Sequence, residues 1–189
     1  MPKQTFFNLS NIKREKIISA LEQEFQKHTL EQATVKDVVE LVGLSRGSFY
    51  QYFDSLEESY FYILLRRFHN IHLNFLKFCK LGHVDLQAAM YDYGDFLAAE
   101  LYSANNYDLF RNRYLYWSLQ LEMRWREYMG KQNPEQQLML IYTNERLQFI
   151  GAVFHSLIQR LYLEGWSRDI FLKHYNETVH FILNGIDRI

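Results

Sequence analysis

The sequence predicts an all-α protein of about nine helices. Its 189 residues include only 8 Gly and 2 Pro, and no alternating apolar and polar run is bounded by turn residues, so strand signals are missing. Apolar residues instead recur three and four positions apart along most of the chain, which is the spacing of one helix face. An apolar content of 48% is ample for the packed core of a globular protein.

The first predicted helix runs from about Asn11 to His28. Ile17, Leu21 and Phe25 lie four residues apart and form its buried stripe. This helix is expected to cover the two short helices that follow it in the chain.

Two short helices and a tight turn are predicted between residues 34 and 53. Thr34 caps the first of them, with Asp37 as the reciprocal acceptor, and Gly43 supplies the left-handed conformation that ends it. Ser45 caps the second. The apolar face of the first consists of Val35, Val38, Val39 and Val42. This arrangement predicts a helix-turn-helix, a motif whose second helix enters the major groove of DNA.

A long helix is predicted from Ser55, which forms a capping box with Glu58, to about Lys80. Breaks are predicted at residues 81–85, 104–106, 130–133 and 164–167. They delimit a helix from Pro134 to about Leu163 and a last helix from about Arg168 to Ile186. We expect two domains, residues 1–54 with the helix-turn-helix and residues 55–189 with a helical bundle.

The last two predicted helices have wide apolar stripes. A stripe that broad needs more than one neighbour, which predicts self-association through a four-helix bundle across a twofold axis. The predicted interface consists of Phe154, Leu157, Ile158, Leu161, Phe171, Tyr175, Val179 and Ile182. The alternative is that both helices are covered within one chain.

Several classes of protein are disfavoured by the composition. The single cysteine, Cys79, allows no internal disulfide and no Cys-based zinc site. His69 and His72 are three residues apart, as metal ligands can be, but the nearest further candidates, Cys79 and His83, lie more than a turn away. We therefore predict no metal and no cofactor.

The N-terminal residues have no apolar segment of signal-peptide length, and the longest apolar run extends only from Tyr60 to Leu65. We expect a cytoplasmic protein that neither enters nor spans a membrane. The sequence has no short motif for a nucleophile elbow, a phosphate loop or a paired His and carboxylate. We therefore predict that the protein is not an enzyme. A dispersed active site would leave no such motif.

The net charge is −1, which is not the basic balance of a protein that coats nucleic acid. Any contact with DNA must therefore depend on where the cations lie. Lys13, Arg14 and Lys16 cluster at the start of the first predicted helix, and Arg46 lies at the start of the third.

Together these residues resemble the TetR family of bacterial transcriptional regulators. The resemblance extends from Arg14 to about Tyr60. It depends on Arg-Glu-Lys-Ile-Ile-Ser-Ala-Leu from Arg14, Phe25, Thr-Val-Lys-Asp-Val-Val from Thr34, Gly-Leu-Ser-Arg-Gly-Ser-Phe-Tyr-Gln-Tyr-Phe from Gly43, and Ser-Leu-Glu-Glu from Ser55. The family usually has Gly at the position of Thr29, often Thr at Ala33, and commonly a phosphate-contacting Lys at Leu56. The last departure removes one possible contact with DNA.

The resemblance implies which residues meet DNA. Arg46, Ser48, Tyr50 and Tyr52 would reach phosphates or base edges, and Gln51 a base edge, where Gln can pair bidentately with adenine. Gly47 would let the backbone approach closely, whereas Phe49 and Phe53 would pack inward. Lys13, Arg14 and Lys16 would contact phosphates at the edge of a half-site, although these three residues fit a solvated helix face equally well. The full expected set is Lys13, Arg14, Thr34, Ser45, Arg46, Gly47, Ser48, Tyr50, Gln51 and Tyr52.

Aromatic residues are abundant in the C-terminal part of the chain, where they can line a pocket or form ordinary core. The candidate pocket residues are Tyr93, Phe96, Tyr114, Trp117, Leu121 and Tyr142. Tyr114, Trp117, Leu121 and Arg124 recur at helical spacing, which would give an apolar wall with a cationic end.

The expected function is that of a homodimeric repressor, bound to a palindromic operator in double-stranded DNA and released by a small-molecule effector. An alternative is a module of the same fold that acts through a protein partner, with weak or no DNA binding; Leu56 and the near-neutral charge favour it. A helical enzyme ranks last.

Overall fold

The computed structural model describes residues 1–80, 86–131 and 144–185. Within these ranges the chain forms ten helices and no strand, which confirms the all-α fold class. The helices are α1 (Gln4–Phe7), α2 (Asn11–Lys27), α3 (Val35–Val42), α4 (Arg46–Tyr52), α5 (Leu56–Lys80), α6 (Leu86–Leu101), α7 (Tyr107–Leu115), α8 (Leu119–Lys131), α9 (Glu145–Glu164) and α10 (Arg168–Asn184). No helix in the described ranges is both long and apolar enough to cross a membrane.

The chain divides into two compact units. Unit 1 comprises Met1–Phe68 and Tyr116–Asn133, and unit 2 comprises His69–Leu115 and Pro134–Ile189. Helix α5 therefore begins in unit 1 and ends in unit 2. The sequence predicts a different division, into a helix-turn-helix domain of residues 1–54 and a helical bundle of residues 55–189. That division into functional domains remains a prediction.

The helix boundaries of α3 and α4 follow the local signals in the sequence. The Thr34 hydroxyl accepts from the Asp37 backbone N–H at 3.1 Å and donates to the Asp37 carboxylate at 2.6 Å. Gly43 has a φ of +73°, the left-handed conformation that ends α3. Ser45 caps α4 by accepting from the Ser48 N–H at 3.1 Å.

The described helices of unit 1 enclose an apolar core. The predicted stripe of α2 is buried, with Ile17 1% exposed and Leu21 and Phe25 fully covered. The rings of Trp125 and Tyr128 on α8 each lie with centroids 5.5 Å from that of Phe61 on α5. Because α8 packs on the first half of α5, it belongs with the N-terminal helices.

Helix α1 is absent from the sequence prediction, although it completes this core. Its Phe6 is fully buried, with ring centroids 5.0 Å from Phe53, 5.5 Å from Tyr62 and 6.2 Å from Tyr52. A four-residue helix has too few positions for a periodic stripe, so no sequence pattern marks it.

Unit 2 is held together by α10, which packs against α6 and α9, and by α9, which also packs against α7. Tyr175 on α10 is fully buried, and its hydroxyl donates to the Met90 carbonyl of α6 at 2.7 Å. Its ring stacks on Phe154 of α9 with centroids 5.1 Å apart.

Three details of the predicted helices need correction. The chain breaks at residues 116–118, where the Ser118 hydroxyl accepts from the Leu121 N–H at 3.1 Å. The helix expected from Pro134 instead begins at Glu145, because Asn144 is extended and its side chain caps the Leu147 N–H. The last helix ends at Asn184. Pro134 and Ile186 lie outside the described residues.

Candidate nucleic-acid interface

Helix α4 has one exposed and one buried face. Arg46, Gly47, Tyr50 and Gln51 are exposed and recur at positions i, i+1, i+4 and i+5, so they share one side of the helix. The buried side consists of Phe49, Tyr52 and Phe53, which are 2%, 6% and 0% exposed. The two predicted inward residues, Phe49 and Phe53, are thus in the core.

Tyr52 departs from the expected set of DNA contacts. Its ring packs against Phe6 in the core of unit 1 and so holds the buried side of α4 in place. Tyr52 lies three positions after Phe49 in α4, so the two side chains share the buried side of the helix, whereas Tyr50 is on the exposed side.

The exposed face presents the groups that DNA recognition needs. Arg46 offers a guanidinium and Gln51 an amide at opposite ends of α4, and Tyr50 lies between them with 42% of its surface exposed. Ser48 is half-buried, and its hydroxyl lies 2.9 Å from that of Ser45. Both serine hydroxyls therefore stabilise the start of α4. Arg46, Tyr50 and Gln51 are the side chains of the exposed face that do not cap the helix.

The predicted phosphate contacts of α2 and α3 differ in how they are held. Lys13 and Thr34 are exposed. Arg14 is half-buried and donates to the Phe7 carbonyl at 3.2 Å and to the Asn11 side chain at 2.7 Å, so its guanidinium connects α1 with α2. A contact of Arg14 with phosphate would have to compete with these bonds.

The carboxyl end of α4 is closed by the N-terminal segment of the chain. The Lys3 ammonium donates to the Tyr50 carbonyl at 2.8 Å, the Lys3 backbone N–H donates to the Tyr52 carbonyl at 2.8 Å, and the Thr5 hydroxyl donates to the Gln51 carbonyl. Lys3 also pairs with Asp54 at 2.8 Å, which lowers the pKa of the Asp54 carboxyl through the hydrogen bond and the charge of Lys3. No sequence signal connects residues 3–5 with residues 50–54.

The Gly47 position is not required by the packing of unit 1. A Cβ added there meets nothing closer than the Ser45 hydroxyl oxygen at 3.8 Å, which is an ordinary contact. Since Gly is a poor helix former, its presence on the exposed face favours a close approach of another molecule to the helix backbone.

We predict that Gly47→Ala keeps or raises the stability of the protein, by up to about 1 kcal/mol, because Ala is the better helix former. The added methyl group should nevertheless weaken DNA binding by roughly tenfold, about 1.4 kcal/mol. Gly130→Ala, at a helical glycine of α8 whose Cβ would also meet open space, is the matched control. Thermal unfolding and duplex titration of both variants test this; equal affinities would remove Gly47 from the interface.

Unit 2 contains a cavity of about 80 Å³ among α5, α6, α7 and α9. Its walls are mostly apolar, and burial raises the pKa of the Tyr114 hydroxyl to about 12. The ring of His155 lies edge-on to Tyr114 with centroids 5.5 Å apart. The lining residues are Ile71, Phe75, Tyr93, Leu97, Tyr114, Leu147, Ile150, Gly151, Phe154, His155 and Ile158.

The expected pocket residues separate into three groups. Tyr93 and Tyr114 line the cavity, and Phe96 lies beside Tyr93 with ring centroids 5.8 Å apart. Trp117 and Leu121 are instead in unit 1, because α7 ends before them and a new helix starts. Arg124 pairs there with Glu57 at 2.8 Å, so the predicted cationic end of the pocket is wrong. Tyr142 lies outside the described residues.

The side chains expected at a dimer interface are covered within the chain. Phe154, Leu157, Ile158, Leu161, Phe171, Tyr175 and Val179 are all buried, and Ile182 is half-buried. The wide apolar stripes of α9 and α10 thus serve first to assemble unit 2, as in the alternative considered for the sequence.

A different face of α9 and α10 carries exposed apolar groups. Phe149 on α9 is 62% exposed and Phe181 on α10 is 51% exposed. A shallow groove between the two helices is lined by Phe149, Ala152, Val153, Ser156, Leu157, Arg160 and Thr178. Phe181 follows Thr178 by three positions, about one turn, on α10. Small residues at Ala152 and Ser156 would allow another helix to approach closely.

The described residues contain no cluster of three or more His, Cys, Asp or Glu able to hold a metal. His69, His72 and Cys79 lie on α5, but their side chains, like all of His83, are outside what the structure describes.

Two family models match this chain. Residues 17–58 match the bacterial regulatory proteins of the tetR family, and residues 86–185 match the C-terminal domain of the tetracyclin repressor. No curated protein matches.

Several solved structures have a similar fold. The fatty acid degradation regulator FadR from Bacillus halodurans has a TM-score of 0.68 at 15% identity, with 96% of this chain and 100% of that chain covered. A transcriptional regulator from Rhodococcus sp. Rha1 gives 0.59 at 18% identity, with 93% and 98% covered. A TetR family transcriptional regulator from Chloroflexus aurantiacus J-10-FL gives 0.55 at 19% identity, with 100% of both chains covered. Identities this low establish the fold alone.

Proposed function

Since the chain belongs to the TetR family of bacterial transcriptional regulators, we propose that it is a homodimeric repressor, released from a palindromic DNA operator by a small-molecule effector. The family membership makes it a DNA-binding regulator. The observation that supports DNA binding through α4 is its exposed face, on which Arg46, Tyr50 and Gln51 lie together while the opposite face is buried in the core.

The chemistry of this face suits the major groove. An Arg can fork onto guanine, a Gln can pair bidentately with adenine, and a Tyr hydroxyl can donate to a phosphate oxygen. Gly47 allows the backbone of α4 to approach the DNA closely. The remaining proposed contacts are Lys13, Thr34, Ser45 and Ser48. Arg14 has a structural role through its bond to the Phe7 carbonyl, and its positive charge lies near the start of α2.

A helix of seven residues makes too few base contacts for specificity in a genome, so two copies must bind together. We place the dimer interface on the exposed face of α9 and α10, centred on Phe149, Val153 and Phe181. This replaces the buried residues named from the sequence. Pairing of this face with its counterpart in a second chain would form a four-helix bundle and cover the exposed rings.

The cavity of unit 2 is the proposed effector site. Its apolar walls, with Tyr114 and His155 as polar groups, favour an apolar effector that carries one hydrogen-bonding group. The similar FadR structure belongs to a regulator of fatty acid degradation, which makes acyl compounds the first class to test.

Effector binding would act on DNA through α5. The cavity, at about 80 Å³, is smaller than typical ligand sites of roughly 300–1,000 Å³, so an effector must push its walls apart. Ile71 and Phe75 of α5 are among those walls, and the same helix begins at Leu56, after α4. A displacement of α5 would change the separation of the two α4 helices in a dimer. Coupling of about 1–3 kcal/mol would alter operator occupancy by roughly five- to 150-fold.

Selection from random duplexes with the full-length protein tests the DNA-binding part of this proposal. We expect enrichment of an inverted repeat and an affinity that falls steeply with salt. Tyr50→Ala should weaken binding to all duplexes alike. Gln51→Ala should relax the preference at one base step, at a cost of about 1–3 kcal/mol on the preferred sequence.

Equal effects of Gln51→Ala on every duplex would show that Gln51 reads no base. Recovery of random sequences by the unmodified protein, even at low salt, would instead favour the alternative of a module that acts through a protein partner. Leu56, where the family commonly has a phosphate-contacting Lys, is the residue that motivates this alternative.

A further inference from the structure

Helix α4 cannot be stable by itself. It has seven residues, Arg46–Tyr52, far fewer than the roughly 12–15 that an isolated helix needs in water, and its sequence includes Gly, Ser and three aromatic residues. Its order must therefore come from its surroundings. Phe49 and Tyr52 anchor its buried side, but side-chain packing leaves the backbone carbonyls at its end unsatisfied.

The last four carbonyls of α4 all have partners. That of Phe49 accepts from the Phe53 N–H at 3.0 Å, as in many helices. Those of Tyr50, Gln51 and Tyr52 accept from the Lys3 ammonium, the Thr5 hydroxyl and the Lys3 backbone N–H. Every donor in this second group comes from residues 3–5, which lie more than 45 positions earlier in the chain.

The location of these bonds determines what they can influence. Gln51 has its carbonyl bonded to Thr5 while its amide side chain lies on the exposed face. Bidentate pairing with a base requires the Gln backbone to stay at a fixed position and angle. The positive charge of Lys3 also lies at the carboxyl end of α4, where the helix dipole favours a cation.

We propose that Lys3 and Thr5 are positioning residues for DNA recognition. They clamp the carboxyl end of α4 through its backbone and so set the orientation from which Gln51 reads its base, without touching DNA themselves. The consequence for sequence preference rests on the proposed DNA-binding function, whereas the clamp itself is measurable without DNA.

Hydrogen exchange of the full-length protein, free of DNA, tests the clamp. Thr5→Val keeps the shape of the side chain but removes the hydroxyl, and should accelerate exchange at the amides of residues 49–53 by about 2- to 12-fold, as for the loss of one hydrogen bond. Thr5→Ser restores the donor and should exchange like the unmodified protein. Unchanged exchange in Thr5→Val would overturn the clamp, whatever the protein does with DNA.

Binding to the selected operator and to random duplex tests the consequence. Thr5→Val should lower the ratio of the two affinities by about the same 2- to 12-fold, and Thr5→Ser should not. Lys3→Met should also lower the ratio of the two affinities. Its binding should have the same salt dependence as that of the control variant Lys27→Met, in which an exposed lysine at the end of α2 is replaced. A uniform loss of affinity in Lys3→Met, with the salt slope reduced by about one, would show a direct phosphate contact and overturn the positioning role of Lys3.

The two measurements separate the possible failures. If no operator is selected but Thr5→Val still loosens α4, the proposed DNA-binding function fails and the clamp stands. If an operator is selected and the exchange of α4 does not respond to Thr5→Val, the function stands and the clamp fails.

Discussion

Replacement of Phe6 by Ala is expected to lower the free energy of unfolding of unit 1 by about 3–5 kcal/mol, the usual cost of removing a buried phenyl ring. The ring is fully covered and packs against Tyr52, Phe53 and Tyr62. Its removal leaves a cavity between α1, the end of α4 and the start of α5. Urea unfolding followed by far-ultraviolet circular dichroism measures the loss.

Phe7→Ala is the matched control for this substitution. Phe7 is the next residue on the same short helix and is 36% exposed, so its truncation removes the same atoms with much less buried contact. We expect the cost of Phe7→Ala to be well below that of Phe6→Ala. Similar costs for the two variants would contradict the assignment of α1 to the core of unit 1.

Gly94→Ala is expected to destabilise unit 2 by about 2 kcal/mol, within the range of 1–3 kcal/mol for overpacked cores. A Cβ at this position would lie 2.5 Å and 2.6 Å from two ring carbons of Tyr175, far inside contact distance. The ring cannot move away, because it is fully buried, stacks on Phe154 and is bonded through its hydroxyl to the Met90 carbonyl. The clash outweighs the gain of about 1 kcal/mol that Ala offers in a helix.

Two further variants isolate the clash. Gly151→Ala changes another helical glycine of unit 2, on α9, where a Cβ meets nothing within 4 Å, and it should be neutral or stabilising. Tyr175→Leu shrinks the ring, so that Gly94→Ala should cost less when combined with it than in the unmodified chain. Thermal unfolding of the unmodified protein, the three single variants and the double variant measures both effects. A cost of Gly94→Ala that Tyr175→Leu does not reduce would refute the packing argument.

The sequence predicts the helix-turn-helix well because its signals are local. The cap of Thr34 with Asp37, the left-handed Gly43 and the cap of Ser45 each involve residues at most a few positions apart, and all three are present. The amphipathic stripe of α2 is confirmed for the same reason. The family resemblance, which depends on these residues, is confirmed as well.

What the sequence does not show is which elements lie against one another. The apolar stripes of α9 and α10 are real, but periodicity cannot tell a neighbour in the same chain from a partner chain, and in the structure α6 and α7 lie against them. The pocket prediction failed at Trp117 and Leu121 because a break without Gly or Pro separates α7 from α8. The contacts of Lys3 and Thr5 with α4 join distant residues that carry no motif.

The central claim is that two chains, each presenting one α4, bind one operator. Sedimentation equilibrium with a fluorescent duplex that carries the selected inverted repeat tests it most directly. We expect a complex of two chains per duplex, with marked loss of binding when either half-site is scrambled. A complex of one chain per duplex, bound equally well to a single half-site, would contradict the claim.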